Sequence, residues 1–184
     1  QNNITSDTSS HDSKSNGNIK RLNHFEEKLK MFISPETTNT NIPIHVYDTI
    51  NLHLKKNNIM PINCTPNIIK TILKKHKLFE YYKCEFEIYQ NISGNRLEKF
   101  TDETYEKLKQ MFMSVRNIYD KHTPPTRTCF FSYNYLINKL LKILNLNEHA
   151  KCFGMLKSKE KLRDQDVIWS KICEELNWEF HSSL

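Results

Sequence analysis

"SYNYLINKLLKILN", residues 132–145, decides the fold class. Tyr133, Leu136, Ile137, Leu140, Leu141 and Leu144 recur at i, i+3, i+4, i+7, i+8 and i+11. That spacing lines one face of an α-helix and cannot line one face of a strand. The same period extends outward in both directions. Downstream, residues 164–177 carry Ile168, Trp169, Ile172, Cys173 and Leu176. Upstream of the break at Pro124-Pro125, Thr101 caps a helix to about residue 120, with Tyr105, Leu108, Phe112, Val115 and Tyr119 inward. Thr65-Pro66 reads as an N-cap followed by proline at the first helical position, ahead of Ile68, Ile69, Ile72 and Leu73. Residues 44–56 (Tyr47, Ile50, Leu54) and 20–32 (Leu22, Phe25, Leu29, Phe32) repeat the pattern. "LFEYYKCEFEIYQ", 78–90, fits either period and is assigned to helix because no partner strand is evident; "ISGNR", 92–96, is a turn.

Three glycines in 184 residues are too few for the tight turns of a strand-rich fold. The expectation is an all-α protein: one domain of about eight helices over residues 19–184. Residues 1–18, "QNNITSDTSSHDSKSNGN", hold one large apolar residue, Ile4, and read as a disordered tail or linker. Five scattered cysteines argue against a disulfide scaffold and fit a reducing compartment. No apolar run of 18 residues is present, so no membrane partner is expected.

Net charge is +6, which favours polyanionic partners. Lysine outnumbers arginine 22 to 5 and there are 20 asparagines, so AT-rich codons account for part of the charge. Position adds information that codon bias does not. Between Lys151 and Arg163 lie five cations and one acid, Glu160; between Thr65 and Lys77 lie four lysines and no acid. Lys157, Lys159, Lys161 and Arg163, ahead of the last helix, are the first candidates for nucleic-acid phosphates. Lys70, Lys74 and Lys77, at i, i+4 and i+7 opposite the isoleucine stripe, are the second.

Catalytic and metal readings are weaker. No phosphate-binding, nucleophile-elbow or dinucleotide glycine motif occurs. His149 and Cys152 are one helical turn apart, but no second pair completes a zinc site. Asp164, Asp166, Glu174 and Glu175 permit a metal-dependent nuclease, and Asp164 and Asp166 equally suit the first turn of a helix. Tyr81, Tyr82 and Tyr135 are the possible base-stacking platforms. Besides a phosphate-binding module, the residues themselves leave open a metal-dependent nucleic-acid-processing enzyme (nuclease) and a pure protein-interaction domain.

Three segments, "IKRLNHFEEKLKMF" (19–32), "PPTRTCFFSYNYLINKLLKIL" (124–144) and "LKSKEKLRDQDVIWSKICEELNWEF" (156–180), resemble the poxvirus late transcription factor 3-like family of large nucleocytoplasmic DNA viruses, in the family's order. "KKHKLFEYYKCEFEIYQNISG" (74–94) is similar to its middle region, and the similarity covers about residues 20–182. The resemblance implies a viral late-gene transcription factor with no enzymatic activity. Its implied partners are double-stranded promoter DNA, the viral RNA polymerase and other late transcription factors. Its implied place is the infected host cell, at a viral factory in the cytoplasm or nucleus, with packaging in the virion compatible. It also implies an N-terminal zinc-binding segment with paired cysteines; none is in this sequence, so no cofactor is expected here and residues 1–18 would be the linker. A zinc segment followed by helices is similar in layout to general factor TFIIB, which makes a cyclin-like fold an analogy. Arg127, in the second of the three segments, is a further phosphate candidate, against a role in orienting its own loop. Cys129 departs from the family pattern, where a polar residue such as Asn is expected.

Overall fold

A computed structural model describes residues 8–33 and 41–184. Eight α-helices and two 3₁₀ turns, with no strand, make up the described residues. They are α1 (Thr8–Ile33), α2 (Ile44–Lys56), α3 (Pro66–Lys75), α4 (Glu85–Ser93), α5 (Asp102–His122), α6 (Tyr133–Ile143), α7 (Asn147–Ala150) and α8 (Lys159–Leu176). The all-α expectation holds. Both expected threonine caps form: Thr65 Oγ1 accepts from the Ile68 amide and Thr101 Oγ1 from the Thr104 amide. Each satisfies one of the donors a helix start leaves open.

Three boundaries differ. Helix α1 begins at Thr8 rather than near residue 20, and residues 1–7 of the expected tail or linker lie outside the described ones. Once Phe25, Leu29 and Phe32 anchor the helix, each added residue gains one hydrogen bond at low cost. Arg116 Nη1 also donates to the Asn18 carbonyl at 3.0 Å. Residues 78–90 are a 3₁₀ turn (Phe79–Cys84) running into α4. At three residues per turn Phe79 and Tyr82 eclipse, and their rings meet edge-on at 5.5 Å. The third boundary, at α8, bears on the candidate site and is described with it.

Helix α6 sits at the centre. Every residue from Tyr135 to Leu141 is buried, polar Asn138 and Lys139 included, so the one-sided stripe read from sequence is one face of a helix covered all round. Helices α1, α5 and α7 pack on it, and α8 packs on α5. Helices α2, α3 and α4 form a smaller group of their own. Phe32 joins the two groups, meeting Phe86 of α4 at 5.0 Å and Phe153 at 6.2 Å. The end of α1 is closed by Phe100 N and Lys99 Nζ, which donate to the carbonyls of Phe32 and Met31.

Candidate nucleic-acid interface

Ser158 starts α8. Its Oγ accepts from the Lys161 amide at 3.3 Å, and buried Leu162 supplies the first apolar anchor. The helix therefore begins at Lys159, five residues before the expected start, and Asp164 and Asp166 lie beyond its first turn. Lys159, Lys161 and Arg163 are on the helix and only Lys157 precedes it. All four side chains are exposed. None is ion-paired among the described residues, unlike Lys151 (2.7 Å from Glu148) and Lys121 (3.0 Å from Glu175). The opposite face is fixed: Gln165 Oε1 accepts from the Ser132 amide at 2.8 Å.

The α3 lysines do not form the strip expected of them. The helix ends at Lys75, and Lys77 takes a left-handed conformation, φ +58°, so that the Leu78 amide can reach the Leu73 carbonyl. Lys77 thus leaves the helical face that holds Lys70 and Lys74. Lys70 lies 3.9 Å from Glu85 and 5.9 Å from the Tyr82 ring centre, while Lys74 and Lys77 stay exposed and unpaired among the described residues.

Arg127 orients its loop. Its Nε donates to Tyr119 Oη (2.7 Å) and to the Cys129 carbonyl (3.0 Å), which Tyr119 Oη also donates to (2.8 Å). Cys129 therefore contributes its backbone and leaves its side chain exposed, which explains how a thiol is accommodated there. Arg21 covers the neighbouring Phe130, 4.7 Å from the ring centre.

The four carboxylates of the nuclease reading do not converge. Asp166 is buried and accepts from Tyr135 Oη (2.6 Å), Ser183 Oγ (2.6 Å) and the Ser183 amide (2.7 Å), with Lys139 Nζ at 3.7 Å. Burial pushes its pKa up; the Ser183 hydroxyl, Tyr135, the Ser183 amide and Lys139 together outweigh this and hold it below the ordinary value. Glu175 is tied to Lys121 and His122, and Asp164 and Glu174 face solvent. No group of three or more His, Cys, Asp or Glu side chains able to hold a metal occurs among the described residues. His149 Nε2 contacts the Glu98 carbonyl at 2.8 Å, and buried Cys152 has its thiol pushed up to about 11 by burial.

Of the stacking candidates, Tyr135 is fully buried, and Tyr81 and Tyr82 are half-buried against the core. The sequence reading missed Lys139, whose ammonium donates to the His181 carbonyl at 2.6 Å and ties the C-terminal residues to α6. One signal was available: Lys139 stands between Ile137 and Leu140 in the most apolar helix of the chain.

Comparison with known families matches residues 12–180 to the model described as Poxvirus Late Transcription Factor VLTF3 like. The chain belongs to this family. It is 36% identical over 162 residues to "Putative transcription factor A494R" of Paramecium bursaria Chlorella virus 1, covering 88% of this chain and 44% of the relative. It is 33% identical over 165 residues to "Putative transcription factor R429" of Acanthamoeba polyphaga mimivirus, covering 90% of this chain and 38% of the relative. The chain thus spans less than half the length of these VLTF3-like relatives. No solved structure matches it, and the cyclin-like layout stays an analogy. No helix among the described residues is long and apolar enough to cross a membrane.

Proposed function

We propose that this VLTF3-like domain helps a viral RNA polymerase act at late promoters by holding DNA phosphates at the N-terminal end of α8. The observation that carries the reading is the unneutralised group Lys157, Lys159, Lys161 and Arg163, exposed and without carboxylate partners among the described residues. The helix adds to their field. Its N-terminus bears a partial positive charge, so a cation in the first turn costs about 0.3–1 kcal/mol and a phosphate there is stabilised. Lys159 and Lys161 occupy that first turn with Glu160 as the single acid, an arrangement that is unfavourable alone and favourable against a polyanion. Arg127 serves mainly to shape the 124–131 loop through its Nε, and its remaining guanidinium N–H groups are left for a phosphate. Double-stranded promoter DNA, the polymerase and other late factors are the partners of this reading, and the viral factory of the infected cell is its place.

The test is a salt titration of duplex binding. Changing Lys157, Lys159 and Lys161 together to Ala should keep the fold and helix content and leave melting the same or slightly higher, since two cations are removed from the first turn. It should weaken binding to all sequences alike and flatten the log-affinity versus log-salt slope by about 0.9 per lost contact. An intact triple variant with wild-type affinity and slope would move the cluster from DNA to a protein dock.

A further inference from the structure

The ends of α2 and α3 carry a second cationic surface of different character. The His53 and His76 rings meet edge-on at 6.0 Å, which sets the last turns of the two helices side by side. Lys55 and Lys56 end α2, Lys74 and Lys75 end α3 and Lys77 follows it; all five are exposed and none is ion-paired among the described residues. The charges acting on His53 are Lys75, His76 and Lys56, with no carboxylate; after burial, they hold its pKa below the ordinary value.

The α2 end opens into a groove of about 440 Å³ lined by polar Asn51, Lys55 and Asn58 and apolar Leu54, Ile59, Met60 and Pro61. Met60 and, in the next turn, Ile62 are 64% and 63% exposed. A phosphodiester would meet the lysines and leave this apolar surface wet. No aromatic side chain lines the groove, so bases have nothing to stack on. A mainly apolar groove with Lys55 in its wall, at a helix end whose exposed charges are of one sign, fits an amphipathic chain whose large aliphatic side chains enter the groove while its carboxylates face the lysines. Met60 in the lining adapts to more than one such side chain.

We propose that the α2–α3 end docks an acidic segment of a partner protein, anchored by aliphatic side chains between aspartates or glutamates. The site is separate from the α8 cluster and does not depend on the DNA reading. It assigns Lys74 and Lys77 to a protein partner rather than to a second phosphate strip.

Fluorescence anisotropy tests this on the 184-residue chain. The probe is a labelled peptide with leucine at i, i+3 and i+7 and glutamate elsewhere. Its control replaces each leucine by serine at the same charge. The leucine peptide should bind at least about tenfold more tightly than the control. Met60→Asp with Ile62→Asp, both exposed and so harmless to folding, should erase that difference. Lys55→Glu with Lys75→Glu should weaken both peptides, and the Lys157/Lys159/Lys161 alanine variant should bind them as the wild type does. Equal binding of the two peptides, no binding of either, or an unchanged affinity in the Met60/Ile62 variant each overturns the proposal. Full displacement of the leucine peptide by a DNA oligonucleotide of equal charge would overturn it in favour of a general polyanion surface.

Discussion

Asp166→Ala is the substitution that most sharply separates a structural carboxylate from a catalytic one. The side chain it removes accepts three short hydrogen bonds, two from Ser183 and one from Tyr135. It is also the only carboxylate paired with Lys139 among the described residues, and the Lys139 side chain is 2% exposed. Alanine leaves that ammonium buried with the His181 carbonyl as its remaining oxygen partner, and leaves the Tyr135 hydroxyl without its acceptor. Breaking one side of a buried ion pair costs about 3–5 kcal/mol. In a chain of this size that is a fall in Tm of roughly 6–20 °C. Thermal melts by circular dichroism read it directly. Lys139→Met should rescue part of the loss, since the double variant no longer buries a lone charge; the coupling should be about 0.5–3 kcal/mol. The acid limb gives an independent reading. The folded pKa of Asp166 lies below its unfolded value of 3.8, so its contribution is present above that pH and is lost as pH falls through the folded pKa. Wild type should therefore lose stability more steeply below about pH 3.8 than Asp166→Asn does. A Tm unchanged in Asp166→Ala, together with Mg2+-dependent DNA cleavage that the same variant abolishes, would refute the structural account.

Trp169 is 1% exposed and packs against Phe131 and Trp178, so Trp169→Ala should cost about 3–5 kcal/mol in denaturant unfolding; a small loss with collapsed partner binding would make it a surface anchor. Arg127→Lys keeps the charge but loses the bifurcated Nε contact to Tyr119 and Cys129, so stability should fall by about 1–3 kcal/mol with the salt slope of DNA binding unchanged. Lys77→Gly relieves a left-handed residue and should raise stability by about 0.5–1 kcal/mol in chemical denaturation; a loss would show that the lysine side chain is itself held by the fold.

What was legible in the sequence is what depends on period and on short-range caps. The stripes of α2, α3 and α5 and the caps at Thr65 and Thr101 form where their spacing puts them. What was not legible depends on tertiary enclosure. The apolar stripe of α6 hints that Lys139 is enclosed but does not show what covers Asn138 and Lys139, because the covering groups are main-chain carbonyls of Ala150, Phe153 and His181. Carbonyls leave no mark on residue type. Asp166 was misplaced for the same reason. In one dimension it is an acid near a helix start, and only Tyr135, 31 residues earlier, and Ser183, 17 later, make it a hub. The charge clusters were found by position, but the α3 lysines were read as if the helix ran on through Lys77. The apolar Leu78 that folds back to end it was counted as the start of the next element.

That ending recurs, and it links composition to the cationic groove. Helices α2, α3, α6 and α8 all finish with a left-handed residue followed by an apolar one whose amide reaches back five residues: Ile59 to Leu54, Leu78 to Leu73, Leu146 to Leu141 and Trp178 to Cys173. Glycine is the usual left-handed residue in this motif. This chain has three glycines, and none stands at these four ends. Asn58, Asn145 and Asn177 fill three of them, which a short polar side chain tolerates well. Part of the asparagine excess that looks like codon bias therefore terminates helices. Lys77 is the exception, since lysine has neither glycine's freedom nor asparagine's local hydrogen bond to offset a positive φ. Strain of that kind is retained where the side chain serves something other than the fold. Lys74 and Lys75 precede Lys77 closely in sequence, so a further cation there worsens local repulsion as well as backbone strain. Both costs are recovered if an acidic chain lies across the α2–α3 end. Lys77→Gly should then stabilise the free domain while weakening its hold on the acidic peptide, a pairing that a residue serving only to end a helix would not produce.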